Sequence, residues 1–229
     1  MAQADIDEVL VYLIGPRAAL AWHLDVERGL ETRELAAGAT QLESWVDRAL
    51  RAMEEATEVA RLTAPARIVA ATSLDEVQDA LEGAARVHWL AHGVANETHP
   101  GLGHLGSGGL SEGGFRLDAR QASLLPLKGA QVVLSSCESN AGRWRDGAGL
   151  DGLTCGFLGA GAAQVVASYW PVDGGVAATL MGLFYNGLNE GLDAAEALRK
   201  ARLTLRRMDD PRGFAMAHPV FWGPWTVVR

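Results

Sequence analysis

Two residues able to carry nucleophilic chemistry stand at the ends of apolar runs. Cys137 follows AQVVLSS (130–136), and His92 follows RVHWLA (86–91). A thiol beside an imidazole can ionise, and the thiolate is the nucleophile. The imidazole can then protonate a leaving amine. The backbone N–H groups of Gly93 and Cys137, each close to a strand end, are candidates to face a shared oxyanion. A second reading of the same residues is a buried structural cysteine and a loop histidine, since single Cys and His residues are common.

Other candidates have plainer readings. Cys155 lies in LTCGFLGAGA, a small-residue apolar helix, and is expected to be a buried small hydrophobe. His88 lies within the strand that precedes His92 and is expected to be packed and hydrogen-bonded. His88, His92, His99 and His104 fall close together with Glu97, but their spacing matches no zinc pattern and there is no CxxC, so no metal is expected. Gly101–Gly106 reads G-x-G-x-x-G. It lacks the strand before and the helix after that a dinucleotide fingerprint needs, so residues 100–114 are expected to be a glycine-rich mobile loop.

These residues need elements to position them. EVLVYLI, a Gly15-Pro16 turn and ALAWHLDVE predict a β-hairpin over 8–30. Residues 40–62 carry apolar residues at helical spacing, with Thr40 and Glu43 forming a capping box. IVAAT (68–72) predicts a short strand, and Ser73 is placed to cap a helix over LDEVQDALEGA. Strands at 86–91, 130–136, 164–170 and 221–229 then alternate with helices in LDARQASLL, GLDGLTCGFLGAGA, 175–189 and 193–208. Residues 138–149 read as a polar loop. This alternation predicts an α/β fold: a mainly parallel sheet covered by helices on both faces. In such sheets ligands and catalysts sit beyond the carboxyl ends of the strands, where His92 and Cys137 stand.

Composition narrows the function classes. Hydrophobic residues make up 48% and charged residues 21% of the 229, which excludes wholesale disorder. The formal charge of −8 argues against a nucleic-acid or anionic-membrane surface. Two cysteines cannot build a disulfide framework, and the N-terminus carries acid before its apolar run, so a cytoplasmic chain is expected. Gly152–Val172 has no charged residue and is long enough to cross a bilayer. Its glycines and its break into a small-residue half and a β-branched half predict a buried helix feeding a buried strand.

Five ordered segments resemble the CHAT family of caspase-like cysteine peptidases, related to separase and the caspases. VHWLAHG (87–93) is similar to its histidine motif and QVVLSSCES (131–139) to its cysteine motif. GLDGLTCGFLGAGAAQVVASYWPVD (149–173), AAEALRKARLTLRR (194–207) and HPVFWGPWTVV (218–228) are similar to the segments that follow. The resemblance spans 73–229, with 1–72 as an N-terminal hairpin-and-helix lead-in to that core. It implies a caspase-like three-layer α/β/α sandwich. It also implies His92 as general acid/base, Cys137 as nucleophile, and the amides of Gly93 and Cys137 as the oxyanion hole, with no cofactor. Asp173, Glu138 and Trp170 are the expected substrate contacts; plainer roles are a helix cap for Asp173 and loop solvation for Glu138, Ser139, Asn140 and Asp146. Trp89 is expected in the core. The implied activity is endopeptidase cleavage of a protein substrate, with a regulatory or sensor partner and no nucleic-acid or membrane partner. The alternatives are a catalytically weak or inactive interaction module on the same fold, and a metal-dependent hydrolase.

Overall fold

The computed structural model describes residues 8–13, 23–25, 29–31, 55–63, 66–71, 73–94, 103–106, 115–135, 143–145, 149–208 and 216–229. In chain order these contain β1 (Glu8–Leu13), β2 (His23–Asp25), β3 (Gly29–Glu31), helical residues 55–62 (α1), β4 (Ala66–Ala71), α2 (Leu74–Leu81) and β5 (Arg86–Leu90). Then come β6 (His92–Val94), β7 (His104–Gly106), β8 (Arg116–Asp118), α3 (Ala119–Ala122), β9 (Gln131–Ser135), β10 (Arg143–Arg145) and β11 (Gly149–Asp151). The chain closes with α4 (Leu153–Gly159), β12 (Gln164–Ser168), α5 (Gly174–Asn189), α6 (Ala194–Leu205), α7 (Pro219–Trp222) and β13 (Trp225–Val228).

The central sheet has the order β13-β12-β9-β5-β1-β4. All of its pairings are parallel except that of β12 with the edge strand β13. Alternate residues of β5, β9 and β12 feed two separate cores, as the two-residue period of a strand requires. Val87 and Trp89 of β5, Val132 and Leu134 of β9, and Val165 and Ala167 of β12 pack with Val77 and Leu81 of α2, Ala122 of α3 and Phe157 of α4. Leu90, Val133 and Val166 face the other way. They pack with Val59 of α1, Leu180 and Phe184 of α5, and Ala197 and Leu198 of α6. Near-continuous apolar strands are therefore covered on both faces, which gives the expected mainly parallel α/β/α sandwich. Among the described residues no helix is long and apolar enough to cross a membrane. The uncharged stretch after Gly152 becomes α4 and β12.

Three local expectations are corrected. Among the described residues β1 does not pair with the second arm expected of the 8–30 hairpin. It lies inside the main sheet, parallel to β4 on one side and β5 on the other, with Leu10 opposite both Ile68 and His88. The physical reason is visible in VLVYL, which is apolar at both parities and so suits a strand covered on two faces better than a half-exposed hairpin arm. The antiparallel pair in this region is the short β2–β3 ribbon. The glycine-rich segment 100–114 is not wholly loop, because His104–Gly106 forms β7 between β6 and β8. The polar segment 138–149 likewise contributes β10 to an antiparallel ribbon with β11. The first part of the 40–62 helix, with its Thr40–Glu43 box, lies outside the described residues. Its last part is α1.

Candidate active site

The site is organised by the register of β5 on β9. Arg86 stands opposite Gln131, and their side chains are joined by a hydrogen bond from Arg86 Nε to Gln131 Oε1 of 2.6 Å. Four residues further on, Leu90 stands opposite Ser135. In the sequence His92 and Cys137 each come two residues after a member of that last pair. β5 and β9 thus end level with each other at one edge of the sheet. Cys137, Glu138, Ser139, Asn140 and Asp146 lie outside the described residues. For His92 the described feature is its backbone, which opens β6.

After Ala91 the chain leaves the main sheet and enters a small antiparallel sheet, β6-β7-β8. Period-two alternation builds it. Leu105 of β7 and Leu117 of β8 are opposite each other, fully buried, and belong to the same core as Trp89. The residues on either side of them occupy the other face: His104 opposite Asp118, and Gly106 opposite Arg116. On the β6 side, His92 stands opposite Gly106 and Val94 opposite His104. Gly93, opposite Leu105, is between them. Asp118 also ends this sheet by capping α3. Its Oδ1 accepts from Gln121 N–H at 2.8 Å, while Gln121 Oε1 accepts from Asp118 N–H at 3.0 Å, a reciprocal capping box.

The remaining sequence candidates take definite places. His88 is completely buried, as expected. Its Nδ1 lies 3.0 Å from Tyr185 Oη and its Nε2 3.1 Å from Glu55 Oε1, so both ring nitrogens are engaged on the α1/α5 side of the sheet. Trp89 is fully buried against Phe157, with ring centroids 5.6 Å apart. Cys155 is exposed, contrary to expectation. It sits in the first turn of α4, whose buried side is made by Leu153, Thr154, Gly156 and Phe157. The short run of small residues offered no periodicity to show which side faced out. Among the described residues no group of three or more His, Cys, Asp or Glu could hold a metal ion.

At the end of β12 the chain emerges as Tyr169 and Trp170, which are 48% and 37% exposed. The Trp170 indole donates to Val220 O at 3.1 Å, and its ring lies against Gly223, where an added Cβ would come within 3.2 Å of Cζ2. Asp173 caps α5: Oδ1 accepts from the N–H groups of Gly175 (3.0 Å) and Val176 (3.2 Å). His104, expected within the glycine-rich loop, stands instead in β7 and is buried. The alternation H-L-G and R-L-D around Leu105 and Leu117 was the available signal, and the surrounding glycines masked it.

Comparison with known proteins agrees with this architecture. The CHAT domain model matches residues 21–229. Tetratricopeptide repeat protein 28 of Mus musculus is 34% identical over 97 residues, 42% of this chain. The Homo sapiens protein of the same name is 35% identical over 104 residues, 45% of this chain. Those stretches are only 4% of the length of either relative. Among solved structures, the Arg specific cysteine proteinase gingipain R superposes with a TM-score of 0.50 at 11% identity, over 97% of this chain and 46% of the other. At that identity the likeness is one of fold, a mainly parallel sheet between helices as in the caspase-like gingipain. With the family model covering nearly the whole chain and the sheet matching in kind, this chain belongs to the CHAT domain family.

Proposed function

We propose that the chain is a cysteine endopeptidase that cleaves a protein substrate through a dyad of Cys137 and His92. The observation that supports this reading is the β5/β9 register, which sets Leu90 level with Ser135, each two residues ahead of a candidate in the sequence. In the reaction His92 takes the Cys137 thiol proton, and the thiolate attacks the scissile carbonyl carbon. The resulting oxyanion is met by the N–H groups of Gly93 and Cys137. The C–N bond then breaks as His92 returns its proton to the leaving amine. Water, deprotonated by His92, attacks the thioester, and the acid product leaves with the thiol restored.

Substrate recognition falls to the neighbouring strand end. Trp170, 37% exposed, Asp173, three residues further on, and Glu138, next to the nucleophile in the sequence, are the residues that would contact an extended peptide. A regulatory or sensor partner belongs to the same reading.

The test is cleavage of a peptide or protein library by the parent chain, by Cys137→Ala and by His92→Ala. Cleavage by the parent is expected to fall by at least about a thousandfold in Cys137→Ala. Equal cleavage by all three overturns the dyad. A parent that cleaves nothing turns the reading toward an interaction module on the same fold.

A further inference from the structure

We propose that the groove where the C-terminal end of α6 meets α7 is a docking site for an acidic, partly apolar segment of a partner polypeptide. The site is independent of the peptidase reading. Leu203, Arg206, Arg207 and Ala217 line a groove of about 160 Å³. Leu203 shares a helix face with Arg206 and Arg207, three and four residues on, and is 37% exposed. Both arginines are exposed. The Arg206 guanidinium lies 5.0 Å from the centre of the Trp222 ring, over its face and within cation–π range. That indole is itself fixed, because its N–H donates to Ala217 O at 3.1 Å. A guanidinium stacked on a ring can still take a carboxylate through its edge N–H groups. The groove also has a definite place on the sheet. Arg229 Nη2 is 3.9 Å from Asp193 Oδ1, at the start of α6. The antiparallel β12–β13 register puts Val228 opposite Val165, near the start of β12, and Trp225 opposite Ser168, at its end. α6 therefore runs alongside β12, and Arg206 and Trp222 stand at the edge where the parallel strands end. Ligands of α/β sheets bind at that edge.

Charge selects the occupant. The chain carries −8 overall, and the earlier cations of α6 are already matched. Arg199 pairs with Glu196 and Lys200 with Glu190. Beyond them Arg202, Arg206 and Arg207 form no ion pair with any described residue. Arg202 and Arg206 are four residues apart, a spacing at which like charges repel. Arg202 is half-buried, its Nε has no hydrogen-bond partner, and burial pulls its guanidinium below the ordinary arginine range. A helix C-terminus favours cations, which accounts for the sign of these charges. It does not account for a half-buried cation without a counter-charge, an indole under Arg206 or an open leucine beside it. A segment bearing carboxylates and an apolar side chain answers all three, and arginine clusters are a recurring device for holding acidic motifs. Nucleic acid fits less well, since three cations on an acidic molecule make a small positive field. A bare phosphate would leave Leu203 uncovered.

The experiment measures, by fluorescence anisotropy, binding of a short fluorescein-labelled peptide of Glu, Asp and Leu. The parent chain is compared with Arg206→Gln combined with Arg207→Gln, with Trp222→Leu and with Arg199→Gln, each checked for folding by circular dichroism. The double arginine variant is expected to bind about tenfold or more weakly than the parent. Trp222→Leu, which removes the stacking ring, is expected to lose about threefold. Arg199→Gln, on the same helix but paired with Glu196, is expected to stay within about twofold. Should Trp222→Leu not fold, the arginine variants, which change only exposed side chains, decide the question. A parent that does not bind the peptide overturns the proposal. So does equal binding by the double arginine variant, or an equal loss in Arg199→Gln. Two competitors are added: the same peptide with every Leu replaced by Ser, and a thymidine oligonucleotide. Equal competition by either shows attraction by charge alone and overturns the assignment to an acidic, partly apolar polypeptide. Asp209 and Asp210 follow α6 in the sequence and lie outside the described residues. A parent that ignores the peptide while Asp209→Asn combined with Asp210→Asn binds it gives the groove to the chain's own acids, and the partner is overturned. Cleavage is not read, so failure of the peptidase reading leaves the binding result standing.

Discussion

At position 156 a single hydrogen in place of a methyl sets how closely α3 and α4 pack. An added Cβ there would lie 2.2 Å from Ala119 O and 2.8 Å from Ala119 Cα, both backbone atoms that cannot swing aside. Gly156→Ala is therefore expected to cost about 1–3 kcal/mol, the usual penalty of overpacking. One turn on, a Cβ at Gly159 would meet only Ser123 Cβ at an ordinary 3.7 Å. Gly159→Ala should leave stability unchanged or raise it by up to about 1 kcal/mol through helix propensity. Urea unfolding of the two variants beside the parent checks both; equal stability of the two would show that the helices can separate at little cost. The sequence displays both glycines in one small-residue run and does not distinguish them. The same is true of Cys155, whose exposure follows from which side of α4 meets α3 and the sheet. His88 was legible, because a histidine inside an apolar strand must find partners, but the identity of those partners, Glu55 and Tyr185, depends on helices distant in the chain.

Helix starts show how far local chemistry reaches at the scale of an element. Ser73, Asp118, Asp173 and Asp193 each accept a backbone N–H at the first turn of a helix. Ser73 and the cap alternative for Asp173 were readable from sequence because capping needs only a short polar side chain and the next few residues. At Asp173 the structural and recognition roles can be separated. Asn caps as well as Asp, so Asp173→Asn should keep the melting transition of the parent, whereas Asp173→Ala should lose about 0.5–2 kcal/mol. If the Asp173 carboxylate also binds substrate, Asp173→Asn raises KM for basic peptides at unchanged stability; an unchanged KM leaves the residue with its cap alone.

At the start of α6, hydrogen bonds from the Glu196 and Ala195 amides hold the Asp193 carboxyl below the ordinary aspartate range, helped by the charge of Arg229. Such a group stabilises the fold above its unfolded value, near pH 3.9, and that contribution disappears as pH falls through the lower folded value. Asp193→Asn keeps a cap without the titration. Its melting temperature should therefore fall less steeply than that of the parent below about pH 4. Parallel curves for the two proteins in that range would contradict the assignment.

For the whole molecule the decisive feature is the placement of β1. Among the described residues β4 pairs with β1 and no other strand, and β1 in turn pairs with β5, the strand that leads to His92. The CHAT domain match begins at residue 21, after this strand. A chain starting at residue 21 would leave β5 as a sheet edge with unpaired N–H and C=O groups and would strip β4 of the strand neighbour it has among the described residues. We expect it to lose cooperative thermal unfolding and to aggregate, as measured by calorimetry and light scattering; a 21–229 chain with the melting profile of the parent would mean that β1 is dispensable.

What the sequence determined by itself was local or periodic. Apolar runs at 86–91, 130–136 and 164–170 had to become buried strands, and the amphipathic segments had to become helices between them. Those outcomes follow from side-chain periodicity and from the obligation to pair buried backbone. What only the tertiary structure decided were the long-range pairings: β1 between β4 and β5, Leu90 level with Ser135, Gly106 opposite His92. Registers between distant strands minimise the free energy of the whole sheet and both its cores at once. No window of the sequence contains the competing alternatives from which they were selected.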